Sequence, residues 1–157
     1  MQKLILAFGA ALSGLTLGGC AAFTEHSVGL VDDQLSECPQ WPRCVSSDAK
    51  NEEKSIAPLR ITGDVDTAWK AANEAVASMK RTEIVKEREN YLHAEIISPW
   101  HFYTDDLELH LRPEENIIAI RSSGRIGYFD FHVNRDRVEA LRATLAERGV
   151  VAGAATE

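Results

Sequence analysis

Charged side chains that could do chemistry are concentrated in the second half of the chain. One group offers carboxylates for general acid and base catalysis of a hydrolysis, and consists of Asp105, Asp106, Glu108 and Asp130. A second group combines arginines with the predicted start of the last helix, where free N–H groups attract anions, and consists of Arg121, Arg125, Asn134 and Arg135. The second group predicts a site for a carboxylate or phosphate. The structural alternative is that the carboxylates simply neutralise the arginines.

Other reactive residue types give weaker signals. Asp105 and Asp106 are adjacent, so on a strand they point to opposite faces and make a poor catalytic pair. Ser122 and Ser123 lack the strand-turn-helix context of a serine nucleophile. Metal binding by histidines and acids is a minor alternative, with candidate ligands His93, His101 and His110. We therefore predict no metal and no cofactor. The aromatic runs at 100–103 and 128–129 are interpreted first as core and loop anchors, and second as ligand or membrane contacts.

Two strands must position most of these residues. Leucines alternate with polar residues from Asp106 to Arg112, which predicts a strand with one buried face. A four-residue turn at 113–116 leads to a second strand, Ile117 to Ser123. This geometry sets Leu111 opposite Ile118 and Leu109 opposite Ile120. It also sets Glu108 opposite Arg121 on the other, wet or functional face.

The remaining elements complete an α+β pattern. A helix is predicted after Gly63, capped by Asp64, and a last helix is predicted from about Arg135 to Arg148, capped by Asn134. Two further strands are expected at 82–87 and 91–98, with a short one possible at 59–62. We therefore expect an antiparallel sheet of about four strands with two helices packed on one face.

The N-terminus has the layout of an export signal. Lys3 is followed by an apolar run that ends in Leu17-Gly18-Gly19-Cys20, which resembles the lipobox of bacterial lipoproteins. The resemblance implies cleavage after residue 19 and attachment of fatty acyl groups such as palmitate to Cys20. One alternative is an uncleaved membrane anchor, but the apolar stretch from Leu4 to Gly19 has only 16 residues, four of them glycine, and is short for a membrane-spanning helix. The other alternative is an ordinary exported protein.

Two cysteines remain once Cys20 is assigned to lipid. Export favours a disulfide between Cys38 and Cys44, while a redox-active pair or a metal site are alternatives. The predicted organisation is a signal peptide at 1–19, a lipidated tether at 20–37, one domain at 38–149 and a flexible tail at 150–157. Loss of Lys3 with the signal takes the net charge from −7 to −8, which argues against a nucleic-acid partner.

Most of the domain resembles a known family. The resemblance begins at Cys38-Pro39, continues through 42–47, Pro58-Leu59 and 91–95, and ends in 134–139. It is sharpest in Asp105-Asp106-Leu107-Glu108 and in the segment 121–130. These match the domain of unknown function 1499 family (DUF1499) of bacterial envelope and chloroplast proteins. Gly124 and His132 depart from the family's usual serine and glycine. Because the family has no known activity, the resemblance implies no catalytic residues.

The expected function is accordingly general. We expect a lipid-anchored cell-envelope protein that binds a partner or supports an envelope assembly without catalysis; the alternative is an envelope hydrolase that uses the Asp/Glu/Arg cluster. Expected partners are the membrane, through the N-terminal lipid, and an anionic small molecule, a lipid headgroup or an envelope protein. Ala21 after the acylated cysteine favours the outer membrane, facing the periplasm, in a Gram-negative cell.

Overall fold

The computed structural model describes residues 27–99 and 102–154. These residues form an α+β fold, as predicted, but the main antiparallel sheet has six strands rather than about four. In chain order the elements are β1 (Leu30–Val31), β2 (Gln34–Leu35), β3 (Cys44–Ser46), β4 (Leu59–Arg60), α1 (Val65–Ala77), β5 (Thr82–Arg88), β6 (Tyr91–Ile97), β7 (Thr104–Arg112), β8 (Ile117–Gly124) and α2 (Val133–Glu147). Short 3-10 helices occupy Glu52–Lys54 and Pro113–Glu115.

The four predicted strands, β5 to β8, are consecutive neighbours in the sheet, and two short strands extend it beyond β8. The order is β3-β8-β7-β6-β5, and β4 pairs with the beginning of β8. Because β7 pairs along the whole of β8, β3 and β4 lie end to end on the other edge of β8. Of the two added strands, β4 lies where a short strand was considered possible, at 59–62. The three-residue β3 was missed because it is too short for an alternating pattern to reveal.

The predicted register of β7 and β8 is confirmed. Leu111 lies opposite Ile118, Leu109 opposite Ile120, and Glu108 opposite Arg121. A one-residue slip would have moved the leucines to the opposite face of the sheet.

Both helices pack on the leucine face of the sheet. Their small and branched side chains, including Ala72, Val76, Val138 and Leu145, join Leu107, Leu109 and Ile120 in one apolar core. Asp64 caps α1 as predicted, by accepting a hydrogen bond from the N–H of Thr67 at 2.8 Å.

The start of α2 differs from the prediction. The helix begins at Val133, and its N-cap position is His132 with a left-handed φ of 67°. The Asp130 carboxylate accepts hydrogen bonds from the N–H groups of His132 and Asn134. Asn134 does not cap the helix because its side chain is buried and bonded elsewhere, so an acid four residues earlier fills that role.

A short hairpin covers much of the polar face of the sheet. Residues 30–35, part of the segment expected to be a tether, form the β1–β2 hairpin, and Leu35 packs on Tyr91 and Ala119. The polar face is therefore buried, whereas the sequence predicted a wet or functional one. Glu108 is 0% exposed and Arg121 is 2% exposed.

The N-terminal part of the chain lies outside the described residues, and this includes the predicted signal peptide and Cys20. No helix within 27–99 and 102–154 is long and apolar enough to cross a bilayer.

Candidate functional site

A buried cluster lies beneath the hairpin and centres on Glu108. One carboxylate oxygen accepts hydrogen bonds from the Tyr91 hydroxyl and from the N–H of Gly29, both at 2.6 Å. The other oxygen pairs with Arg121 Nη1 at 2.7 Å. Burial, and next the negative charge of Glu108, raises the pKa of Tyr91 above its ordinary value, so the phenol stays protonated and donates. This carboxylate therefore fastens the hairpin to the sheet.

A second cluster lies at the next polar position of β7, on Asp106. This buried carboxylate bonds His93 Nε2 at 2.7 Å and Arg125 at 2.7 and 3.0 Å. Arg125 also pairs with Glu95. The hydrogen bond to Asp106 is the main reason why the pKa of Arg125 is raised.

The same cluster brings together three groups of metal-ligand type. Ligating atoms of His93, Glu95 and Asp106 lie within 4.8 Å of one another. The Arg125 guanidinium already bonds both carboxylates and supplies the positive charge between them. A metal ion would therefore have to displace Arg125.

The loop after β8 is held in place by a chain of buried hydrogen bonds. Arg43 donates to the carbonyl oxygens of Gly124 at 2.8 Å and Gly127 at 2.6 Å. Asn134 Nδ2 donates to the carbonyl of Arg43 at 3.0 Å, and Ser122 Oγ donates to Asn134 Oδ1 at 2.6 Å. Arg137 continues the chain to Asp105 at 2.6 Å. Because these bonds join β3, β8 and α2, they fix the loop at 125–131 against the end of the sheet.

A cleft opens beside this loop, at the end of the sheet where β6 and β8 finish. It has a volume of about 540 Å³, within the range of roughly 300–1,000 Å³ that is typical of small-molecule sites. Most of its wall is apolar, and the lining residues are Ile96, Ile97, Pro99, Tyr103, Gly124, Ile126, Gly127, Phe129, Phe131 and Val133, with Ser98, Arg81, Asp105, Asp130 and Arg137 as polar members.

Exposed aromatic side chains line the cleft and adjoin it. Phe131 is 86% exposed and Phe129 is 64% exposed. Trp41, in the disulfide loop, contacts Tyr128 edge-on at 5.2 Å between ring centroids, and Tyr128 contacts Phe129 at 4.6 Å. Apolar groups gathered at one end of a domain are typical of a binding surface.

The disulfide is present where it was expected, between Cys38 and Cys44. It closes the loop that holds Trp41 and precedes β3. The disulfide therefore supports one side of the aromatic surface.

A family comparison adds to this geometry. The model of a family described as a protein of unknown function, DUF1499, matches residues 34–145. The chain belongs to the DUF1499 family. No curated protein matches it.

In this DUF1499 domain, the segments that carried the resemblance hold the loop beside the cleft. Ser122, Gly124, Asp130 and Asn134 all belong to the buried hydrogen-bond chain or to the start of α2. A Cβ at Gly124 would lie 3.3 Å from Asp105 Oδ1, so the family's usual serine would fit with a small adjustment.

The four residues of the predicted anion site are not gathered around one opening. Arg121 is buried on Glu108, Arg125 bonds Asp106 and Glu95, and Asn134 is buried. Arg135 donates to the carbonyl oxygens of Glu53 and Ser55, on the far side of α2. These contacts agree with the structural alternative, and anion binding by this set stays a prediction.

The acidic candidates are similarly separated. Glu108 lies under the hairpin, Asp106 bonds His93 and Arg125, Asp105 pairs with Arg137, and Asp130 bonds the first turn of α2. Sequence reasoning missed the cleft, because loops that are distant in sequence form it. The sequence signal for the cleft was the pair of aromatic runs that include Tyr103 and Phe129, which were interpreted first as anchors. Trp100 and His101, in the first of these runs, lie outside the described residues.

Proposed function

We propose that this protein is a lipid-anchored module of the bacterial cell envelope that binds an amphipathic ligand in the end cleft and catalyses no reaction. The observation that carries the proposal is the apolar cleft of about 540 Å³ with the exposed aromatic side chains of Tyr103, Phe129 and Phe131 in its wall. Apolar walls with a few polar groups are typical of sites that bind small molecules.

The lipid anchor would keep the cleft close to a source of amphipathic ligands. If Cys20 carries the acyl groups, six residues separate it from Ser27, the first described residue, and the connection spans at most about 25 Å. The domain then stays close to the bilayer, where lipid-derived molecules have a high effective concentration. Ala21 favours the outer membrane as the location.

The hydrolase alternative has less support. A general acid or base must reach the substrate and exchange protons with solvent. Asp106 and Glu108 are completely buried, and each is neutralised by an arginine. Asp105 lines the cleft, but it pairs with Arg137 at 2.6 Å.

The anchor is tested by substitution of the cysteine. We expect Cys20→Ser to block acylation and to leave an unprocessed precursor, as measured by gel mobility and mass. A variant that matures to normal mobility and stays in the membrane fraction would contradict the anchoring.

The cleft is tested with a neutral dye. Nile red should bind wild-type protein and gain fluorescence. Ile126→Glu places a charge on an exposed cleft residue and should weaken binding about tenfold or more, because a charge is costly to desolvate. Val85→Glu is the matched control, since Val85 is exposed on β5 and does not line the cleft. Equal binding by all three proteins would exclude the cleft as the site.

A further inference from the structure

We propose that Arg81 makes the end cleft selective for amphiphiles with an anionic head group, a carboxylate or a phosphate. This inference rests on the proposed function and adds the chemical class of the ligand. It concerns a residue outside the predicted anion site.

Arg81 is fixed at the rim of the cleft by its own backbone. It follows α1 in a left-handed conformation with φ of 56°, which few residues other than glycine adopt. Its carbonyl oxygen accepts a hydrogen bond from the N–H of Ile97 at 2.9 Å, and its Nε donates to the carbonyl of Ile97 at 3.0 Å. Two bonds to one residue hold the guanidinium beside the opening.

The guanidinium is only partly used by the protein. Among the described residues, the Ile97 carbonyl is the one hydrogen-bond acceptor of the Arg81 side chain, through Nε, and no carboxylate pairs with it. Its two terminal amino groups are thus available to a ligand. Arg137, on the same cleft, differs because it is occupied by Asp105, Ser122 and Asn134.

The two carboxylates of the cleft do not cancel this charge. Asp105 is neutralised by Arg137, and Asp130 bonds N–H groups at the start of α2. Among the described residues that line the cleft, the remaining positive group is the planar fork of Arg81, whose geometry matches carboxylate and phosphate oxygens. With the anionic head at Arg81, the apolar part of a ligand would lie against Ile97, Ile126 and Phe129.

The experiment measures affinity for four probes by displacement of Nile red. The protein is the chain from residue 20 with Cys20→Ser, which retains every described residue. The probes are decanoate, decyl phosphate, decanol and inorganic phosphate. We expect wild-type protein to bind the two anionic amphiphiles about tenfold more tightly than decanol, because a charged hydrogen bond contributes that much. Inorganic phosphate should not displace the dye.

Variants assign the preference to Arg81. Arg81→Gln should remove the tenfold preference for anionic amphiphiles over decanol, and Arg81→Lys should retain part of it. Lys80→Gln is the matched control, since the adjacent exposed lysine does not line the cleft. Tighter binding of decanoate would identify a fatty acid as the natural class, and tighter binding of decyl phosphate a phospholipid product.

Three outcomes would overturn the inference. Equal affinity of wild-type protein for decanol and decanoate would exclude selection for an anion, whether or not the variants fold. Undiminished preference in Arg81→Gln would assign it to another group. Displacement of the dye by inorganic phosphate would indicate a simple anion site. If neither the dye nor any amphiphile binds, the proposed function fails as well.

Discussion

The buried pair of Glu108 and Arg121 allows a quantitative test of how the polar face contributes to stability. Their charged groups are 2.7 Å apart, and both residues are at most 2% exposed. Two charges 4 Å apart interact by roughly 4 kcal/mol at an effective dielectric constant of 20, and removal of one partner of a buried pair costs about 3–5 kcal/mol. Arg121→Met should therefore lower the free energy of unfolding by about that amount, because it leaves the buried Glu108 charge without its ion-pair partner.

The matched substitution at the acid is Glu108→Gln, which keeps an oxygen to accept from Tyr91 and Gly29. Because it leaves the buried Arg121 charge without its ion-pair partner, it should also be strongly destabilising. The double variant removes both charges of this pair, so it should be more stable than Arg121→Met alone. Urea unfolding of the four proteins gives the coupling energy, which should be about 3 kcal/mol or more.

An exposed pair provides the control for this cycle. Lys50 and Glu37 are 3.0 Å apart, with side chains 84% and 79% exposed, and should show a coupling near zero. If the effects of the two buried substitutions simply add in the double variant, the pair is not energetically coupled and the reasoning is wrong.

Three further predictions concern the hairpin, the disulfide and pH. Leu35→Ala should lower the free energy of unfolding by about 2–5 kcal/mol, because Leu35 is buried on Tyr91 and Ala119; a change below about 1 kcal/mol would show that the hairpin is not docked. Replacement of Cys38 and Cys44 by serine should cost about 2 kcal/mol for so short a loop, and two free thiols in unreduced native protein would contradict the bond. Burial and the neighbouring Arg112 lower the pKa of His110, and this outweighs the opposite effect of Asp33, Asp48 and Glu115. The His110 side chain therefore binds a proton more readily in the unfolded chain than in the folded one. Stability should thus decrease as the pH falls below about 6.5, and His110→Gln should reduce that decrease; an equal slope in both proteins would refute the assignment.

The sequence predicted those elements whose pattern is local. Alternation of leucines with polar residues defined β7 and its register with β8, and Asp64 marked the start of α1. The β1–β2 hairpin was missed because two-residue strands contain no period. Its burial of Glu108 was missed because that contact joins Gly29 to a residue 79 positions away.

The cleft could not be predicted for the same physical reason. Its loop is held by Arg43, which contacts Gly124 across 81 positions of sequence. No sequence motif marks Arg81 either, since the role proposed for it depends on its left-handed backbone conformation and on its hydrogen bonds to Ile97. The acidic and arginine residues were recognised as a group, and the β7–β8 register already set Glu108 opposite Arg121. Only the structure shows that Arg125 pairs with Asp106 and Arg137 with Asp105.

The most direct test of the central claim is native mass spectrometry of the full-length protein, extracted with its lipids in mild detergent. We predict a non-covalent adduct of an amphipathic molecule on the wild-type protein, which Ile126→Glu loses and Val85→Glu retains. Wild-type protein that carries only its covalent modifications, or an adduct that Ile126→Glu retains in full, would contradict a ligand in the end cleft.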